Sequence, residues 1–406
     1  MRFLQQLIDE NNVKLADYKT VIDLIKEELK KHEIKADVVL GGSAAKGTYL
    51  KNYDMDIFVR FHKNPDSDLL EIILKGAFKK IERVHGSRDY FKIYHKGIEY
   101  EIVPVLKILR ASEAENVTDV SSLHVDWVKK KLKNPDQVKL AKLFCKAQSV
   151  YGAESYINGF SGYILEILIV QYGTFMKMIE AVSRWKPRTI IDVGKHYKSQ
   201  KTIMKKLNIA KLQSPIIVID PTQKDRNAAA SVTMETFCKF IFAARQFLED
   251  PSKEWFTKKK FSLRDVVKES RKLNTVLTVL KVKMPEGKQD VVGSKFLKIF
   301  KFIRSQLLQN DFDVFKAGYD LEESILWYQT HPQRLPLYAK VIGPRVWAPK
   351  ENINAFIEKY DRKNIFLEED HLCAVKKRKY QRAVDFIKNL IQTEYVQDRV
   401  QKISIR

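Results

Sequence analysis

At 406 residues the chain exceeds one ordinary core and implies about three domains, and 45% hydrophobic residues without a low-complexity tract exclude a disordered protein. A formal net charge of +23 points to a polyanionic partner. Cys145, Cys238 and Cys373 are isolated, which supports neither a zinc knuckle nor a disulfide framework.

The amino terminus, Met1 to Glu10, meets acid too early for a signal peptide, so a cytoplasmic protein is expected. Leu15, Tyr18, Val21, Ile22, Ile25 and Leu29 recur at helical spacing and predict an amphipathic helix over 15–32. An apolar strand over 38–40 then feeds Gly41-Gly42-Ser43, and a second strand is predicted over 54–61. Glycines in such a turn let backbone N–H groups approach phosphate oxygens, with the Ser43 hydroxyl and the Lys46 charge close behind. Residues two apart on a strand share a face, so Asp54 and Asp56 project together while Met55 and Ile57 point away. Adjacent carboxylates repel unless a cation lies between them. Oxygen-only ligands suit magnesium, and a two-metal site activates an attacking hydroxyl while steadying a triphosphate and its pyrophosphate leaving group. A solvated strand edge beside an ordinary turn would explain either half alone; their order along the chain favours nucleotidyl transfer.

A helix is predicted over 67–82 and strands over 90–95 and 98–105, the last ending at Pro104, which cannot continue a central ladder. Glu99 and Glu101 share a face of that strand, and periodicity leaves open which of them is a third metal ligand. His124 stands beside Trp127 before a basic helix. A further helix over 137–150 carries Lys139, Lys142 and Lys146 on one face, a stripe that more often meets solvent than phosphate. Tyr151 and Tyr163 read as core or rim aromatics, and the apolar run from Tyr163 to Val170 as a buried helix interrupted by Glu166 and too short to span a membrane. Ile216 to Ile219 forms a strand-like break leading into a loop with Arg226, which can cap the following helix.

Beyond Pro251, strands are predicted over 275–284, 312–315 and 323–328, a helix over 293–309, and a final helix over 376–398 that begins with Lys376-Lys377-Arg378-Lys379; residues 337–342 are ambiguous. Residues 251–406 hold 32 Lys and Arg against 19 Asp and Glu, so this part is the more basic per residue and suited to a polyanion's backbone.

Several motifs resemble the archaeal-type (class I) CCA-adding tRNA nucleotidyltransferases. They are Gly41-Gly42-Ser43-Ala44-Ala45-Lys46-Gly47-Thr48 with Asp54-Met55-Asp56, Ser121-Ser122-Leu123-His124-Val125-Asp126-Trp127, Tyr151-Gly152-Ala153-Glu154, Gly159-Phe160-Ser161-Gly162-Tyr163-Ile164-Leu165-Glu166, and Asp220-Pro221-Thr222 through Arg226-Asn227-Ala228-Ala229-Ala230. The first is shared across polymerase-beta-like nucleotidyltransferases; the later ones are more specific. The resemblance implies an α+β fold: a polymerase-beta-like head of mixed sheet packed on helices over 1–137, a mostly helical central domain over 138–255, and an α+β C-terminal body with a helical tail over 256–406. It assigns the metal to Asp54, Asp56 and Glu101, and nucleotide contacts to Ser43, Lys46, His124, Lys142 and Tyr151. Arg226 would meet the incoming base, its planar fork of donors matching cytosine acceptors and, reoriented by the RNA end, adenine.

The sequence departs from the family pattern by carrying Asp54 where Glu is usual, Glu101 where Asp is usual, a Lys46–Asp54 connection one residue shorter, and Ser-Ser-Leu in place of Thr-Pro-Phe before His124. The C-terminal third is compact, which shifts the expected RNA contacts toward the acceptor stem and 3′ end. The implied activity is addition of C, C and A to tRNA from CTP and ATP with Mg2+, with no membrane partner and with homodimerisation left open. A poly(A) polymerase or oligoadenylate synthase type of enzyme, or a tRNA-binding protein that has lost its chemistry, are the alternatives.

Overall fold

The computed structural model describes residues 1–51 and 53–406, which divide into two units, Met1–Lys259 and Lys260–Arg406. The first unit opens with α1 (Arg2–Asn11) and α2 (Tyr18–Lys31). Asp17 caps α2 by accepting from the Thr20 amide, so the helix starts three residues later than predicted while burying the expected Val21, Ile22, Ile25 and Leu29. β1 (Ala36–Leu40), α3 (Gly42–Lys46), β2 (Met55–Phe61), α4 (Ser67–Ala77), β3 (Ile81–Val84), β4 (Tyr90–His95) and β5 (Ile98–Leu106) complete the head. Its sheet has the order β1-β2-β5-β4-β3, with β2 and β5 parallel at the centre. Met55, Ile57, Val59 and Phe61 bury one face of β2 against α2 and α4, which leaves Asp56 on the other.

Two expectations for the head need correction. The helix over 67–82 stops at Ala77, after Gly76; Phe78 turns extended into the core, and 81–84 becomes the edge strand β3. β5 continues through Pro104 to Leu106, because β4 pairs with it only as far as Ile102 and Pro104 has β2 alone beside it.

The remainder of this unit comprises α5 (Ser121–Lys131), α6 (Pro135–Ala147), α7 (Gly162–Tyr172), α8 (Phe175–Val182), β6 (Thr189–Ile191), α9 (Gln200–Lys206), β7 (Ile216–Asp220), β8 (Gln223–Asn227) and α10 (Met234–Glu249). Its core is built on Phe144, Phe160, Phe175, Phe237, Phe240 and Phe247, all fully buried. The Arg226 segment is the strand β8, paired antiparallel with β7, and neither a loop nor a helix cap.

The second unit holds α11 (Leu263–Lys272), β9 (Val276–Lys283), α12 (Gln289–Gln309), β10 (Val314–Asp320), β11 (Ile325–Thr330), β12 (Tyr338–Arg345), α13 (Lys350–Tyr360), β13 (Ile365–Glu368), β14 (His371–Lys377), α14 (Ala383–Leu390), α15 (Glu394–Gln397) and β15 (Lys402–Ile405). A four-stranded sheet β10-β11-β9-β15 packs on α12 and α14, and β12-β14-β13 form a second sheet. The ambiguous 337–342 segment is therefore a strand. The final helix over 376–398 does not form: Lys376 and Lys377 end β14, Arg378 pairs with Asp311, and the helical residues break into α14 and α15 before β15 joins β9. Among the described residues, no helix is long and apolar enough to cross a membrane.

Candidate active site

The glycine turn is pinned over β2 by the Gly41 amide, which donates to the Asp56 carbonyl at 2.8 Å. Gly42 has φ +54°, and a Cβ there would lie 1.6 Å from Asp56 Oδ2. Only a residue without a side chain lets that carboxylate lie beneath the turn. The parallel register sets Asp56 directly opposite Glu101, while Asp54 is exposed just before β2 begins. Burial, reinforced by the charges of Glu101 and Asp54 and opposed by Lys46, pushes the Asp56 carboxyl up to about 7. Burial also raises Glu101, against the pull of Lys92.

Glu99 and Glu101 have different surroundings. Lys92 Nζ donates to Glu99 Oε1 at 2.5 Å, and together with the Tyr94 hydroxyl it holds that carboxyl below the usual range. The same ammonium stands 3.6 Å from Glu101, which remains across from Asp56. Among the described residues no group of three His, Cys, Asp or Glu side chains is gathered tightly enough to chelate an ion as it stands. The donor chemistry nonetheless fits a hard cation: the Asp54, Asp56 and Glu101 carboxylates offer only oxygen, and the Asp54 charge raises the proton affinity of both Asp56 and Glu101.

Ser43 and Lys46 lie on α3, Ser43 half-buried. Lys46 Nζ meets Glu166 Oε2 at 2.6 Å, and the Thr48 hydroxyl donates to Oε1 of the same carboxylate at 2.6 Å. Lys142 Nζ donates to the Thr48 carbonyl at 2.8 Å and approaches its hydroxyl at 3.4 Å. The lysine stripe on α6 is therefore not a solvated face: Lys139 and Lys142 are buried and only Lys146 is exposed. Desolvation, opposed by Glu166 and aided by Lys46 and Lys146, brings the Lys142 ammonium down to about 8. Tyr151 is raised above the ordinary phenol range, chiefly by burial and then by the charge of Glu166. A Cβ on Gly162 would come within 3.2 Å of the Tyr151 hydroxyl and 3.3 Å of Lys142 Cε, so α7 meets both residues at a glycine.

Asp220, at the end of β7 and fully buried, gathers the remaining residues. Its Oδ2 accepts from His124 Nε2 at 3.1 Å and from an Arg226 guanidinium nitrogen at 2.7 Å. Its Oδ1 accepts from the Tyr163 hydroxyl at 3.0 Å and from the Thr222 amide and hydroxyl at 2.8 Å each. Burial would raise this carboxyl, but the His124 bond and charge, the Thr222 amide and Arg226 outweigh it and hold Asp220 well below the usual carboxylate range. The His124 and Tyr163 rings stack at 3.9 Å between centroids, and Lys46 Nζ stands 6.0 Å from the Tyr163 ring. Arg226 keeps 44% of its side chain exposed, with one edge anchored and the rest of the fork free to meet a ligand.

These contacts link Lys46 and Lys142 through Glu166 and Thr48, and Lys46 to His124 and Arg226 through Tyr163 and Asp220. Tyr151 lies beside Lys142 at Gly162, Asp54, Glu101 and Lys46 act on Asp56 through their charges, and Ser43 shares the turn. Sequence reasoning passed over Glu166, Asp220, Tyr163 and Thr48. A single acid in the apolar run of α7 was the available signal for Glu166, and the acid opening the Asp220-Pro221-Thr222 motif was that for Asp220.

Three family models match the chain: "Nucleotidyltransferase domain" over 22–139, "tRNA nucleotidyltransferase, second domain" over 136–257, and "CCA-adding enzyme, C-terminal domain" over 264–401. The CCA-adding enzyme of Nanoarchaeum equitans is 35% identical, the alignment covering 88% of each chain. That of Methanocaldococcus jannaschii is 32% identical over 91% of this chain and 84% of its own. The structure of a cytoplasmic RNA terminal U-transferase aligns with 64% of this chain and 98% of its own at a TM-score of 0.50 and 14% identity, a likeness of fold alone.

Proposed function

Because this chain belongs to the CCA-adding enzyme family and adds C, C and A to the 3′ end of tRNA from CTP and ATP without a template, we propose that Asp54, Asp56 and Glu101 form its catalytic centre and hold Mg2+. When bound, the metal supplies activation of the terminal ribose hydroxyl and charge neutralisation at the triphosphate. The chain's own part is positioning. The glycine turn with Ser43 lies over the phosphates, Lys46 and Lys142 bring positive charge, and His124 and Tyr151 complete the walls of the nucleotide site. Asp220 fixes one edge of Arg226 and leaves the other edge for the base. His124 donates from Nε2 to Asp220, so its Nδ1 faces away from that anchor. The acceptor stem and 3′ end of tRNA are the parts of the RNA that this site must receive.

The observation that supports the assignment most is the opposition of Asp56 and Glu101 beneath Gly42, where the Lys46 charge acts on Asp56 and a chain of contacts through Tyr163 and Asp220 joins Lys46 to Arg226. The test is extension of a tRNA transcript lacking its 3′ CCA, with CTP alone, ATP alone and both. Two additions with CTP and a third only with ATP present are expected, and Asp56→Asn should abolish addition while leaving tRNA binding nearly intact. Turnover by Asp56→Asn comparable to the parent would remove Asp56 from the metal site. Long ladders with ATP would mark a polyadenylating enzyme.

A further inference from the structure

Glu166 is the only charged residue on α7, whose other residues are apolar, glycine, tyrosine or glutamine, and its carboxylate has no solvent exposure. An unpaired charge at such a position is strongly destabilising, and an apolar residue would satisfy the packing equally well. The carboxylate is instead paired twice by the segment that follows the glycine turn, with Lys46 Nζ on one oxygen and Thr48 Oγ1 on the other, each at 2.6 Å. Thr48 in turn accepts from Lys142, again through buried atoms. One carboxylate thus sets the places of two ammonium groups that would otherwise repel each other apart.

We propose that Glu166 is a positioning residue for nucleotide binding, holding Lys46 directly and Lys142 through Thr48 at the spacing that grips a triphosphate. This rests on the reading that Lys46 and Lys142 contact the triphosphate. The opposite expectation, that an anion in the pocket only competes with phosphate, fails on charge balance. Around Lys142 stand Glu166 on α7, Lys46 on α3, Lys146 one turn along its own helix, and the Tyr151 phenol. Burial and both lysines favour the neutral amine, whereas Glu166 favours the ammonium. Removing Glu166 therefore moves Lys142 toward the neutral amine, which offsets the attraction the pocket would gain, and Lys46 loses its anchor.

The test is steady-state CTP addition to tRNA lacking its 3′ CCA by Glu166→Gln, measured across pH. For Glu166→Gln, KM for CTP should rise about tenfold with kcat within about threefold, and the alkaline limb of kcat/KM should move to lower pH. Glu166→Asp keeps the charge and should keep that limb near the parent's. An unchanged KM and limb, or a lower KM, overturns the proposal; a role in folding alone would change the active fraction without moving the limb. Lys46→Met and Lys142→Met run alongside. If they raise KM and Glu166→Gln does not, only the role of Glu166 fails; if neither raises KM, the triphosphate reading beneath it fails. Should Glu166→Gln not fold, Thr48→Val deletes the hydroxyl bond to Glu166 and keeps the carbonyl used by Lys142. A raised KM then supports the proposal, and an unchanged KM overturns it.

Discussion

Asp56 carries a carboxyl pushed up to about 7, against an ordinary value of 3.8, because burial and two neighbouring carboxylates disfavour its charge. Below pH 3.8 the group is protonated folded or unfolded, and above 7 it is ionised in both states. Between these limits the folded chain holds a proton that the unfolded chain has released, so this residue's contribution to stability falls as pH rises through the window. Asp56→Asn removes the effect. Thermal melts in EDTA should show the variant and parent alike near pH 4 and the variant increasingly the more stable toward pH 8, and Mg2+ at pH 8 should raise the parent's Tm more than the variant's. A Tm difference that does not change with pH would contradict the electrostatic account of the carboxylate cluster.

The short helix α3 and the strand β2 meet at Gly42, and their approach depends on a missing side chain. Gly42→Ala forces a left-handed alanine, at about 1 kcal/mol, and sets its methyl into the Asp56 carboxylate. Gly47 also has positive φ, +71°, but a Cβ there meets nothing nearer than 3.6 Å and clears the carboxylate. Gly42→Ala should lose activity by about a hundredfold or more, while Gly47→Ala loses comparable stability and far less activity, as extension assays and melts would report. The β2 and β5 alternation and the glycine turn were legible in sequence because each is a local pattern of period two or a backbone requirement. The partners of Glu166 and Asp220 were not, since Lys46 lies 120 residues from Glu166 and His124 lies 96 from Asp220, and only the packed fold brings them together. Helical periodicity likewise misread 78–82 and 376–382. In the first the chain turns after Gly76 to bury Phe78, and in the second Lys376 and Lys377 belong to a strand whose partners come from β12.

Across the whole molecule, the charge of +23 is borne by both units, with residues 251–406 carrying 32 basic side chains against 19 acidic. Binding of tRNA by such a surface releases counterions, so affinity measured by filter binding should fall roughly tenfold or more between about 50 and about 200 mM salt. KM for CTP should change far less, because Lys46 and Lys142 are largely withdrawn from solvent and their pairing is poorly screened. Equal salt sensitivity of the two would argue against a buried cation pair in the nucleotide site. The contact between α3 and α7 also bears on local opening. The glycine turn is only a few residues long and would fray readily by itself, yet its lysine is fastened to a helix in the heart of the phenylalanine core. In hydrogen-exchange terms its amides should share the slow opening of that core, and an arriving nucleotide would then meet a cradle whose ordering entropy was spent during folding, before any ligand was present.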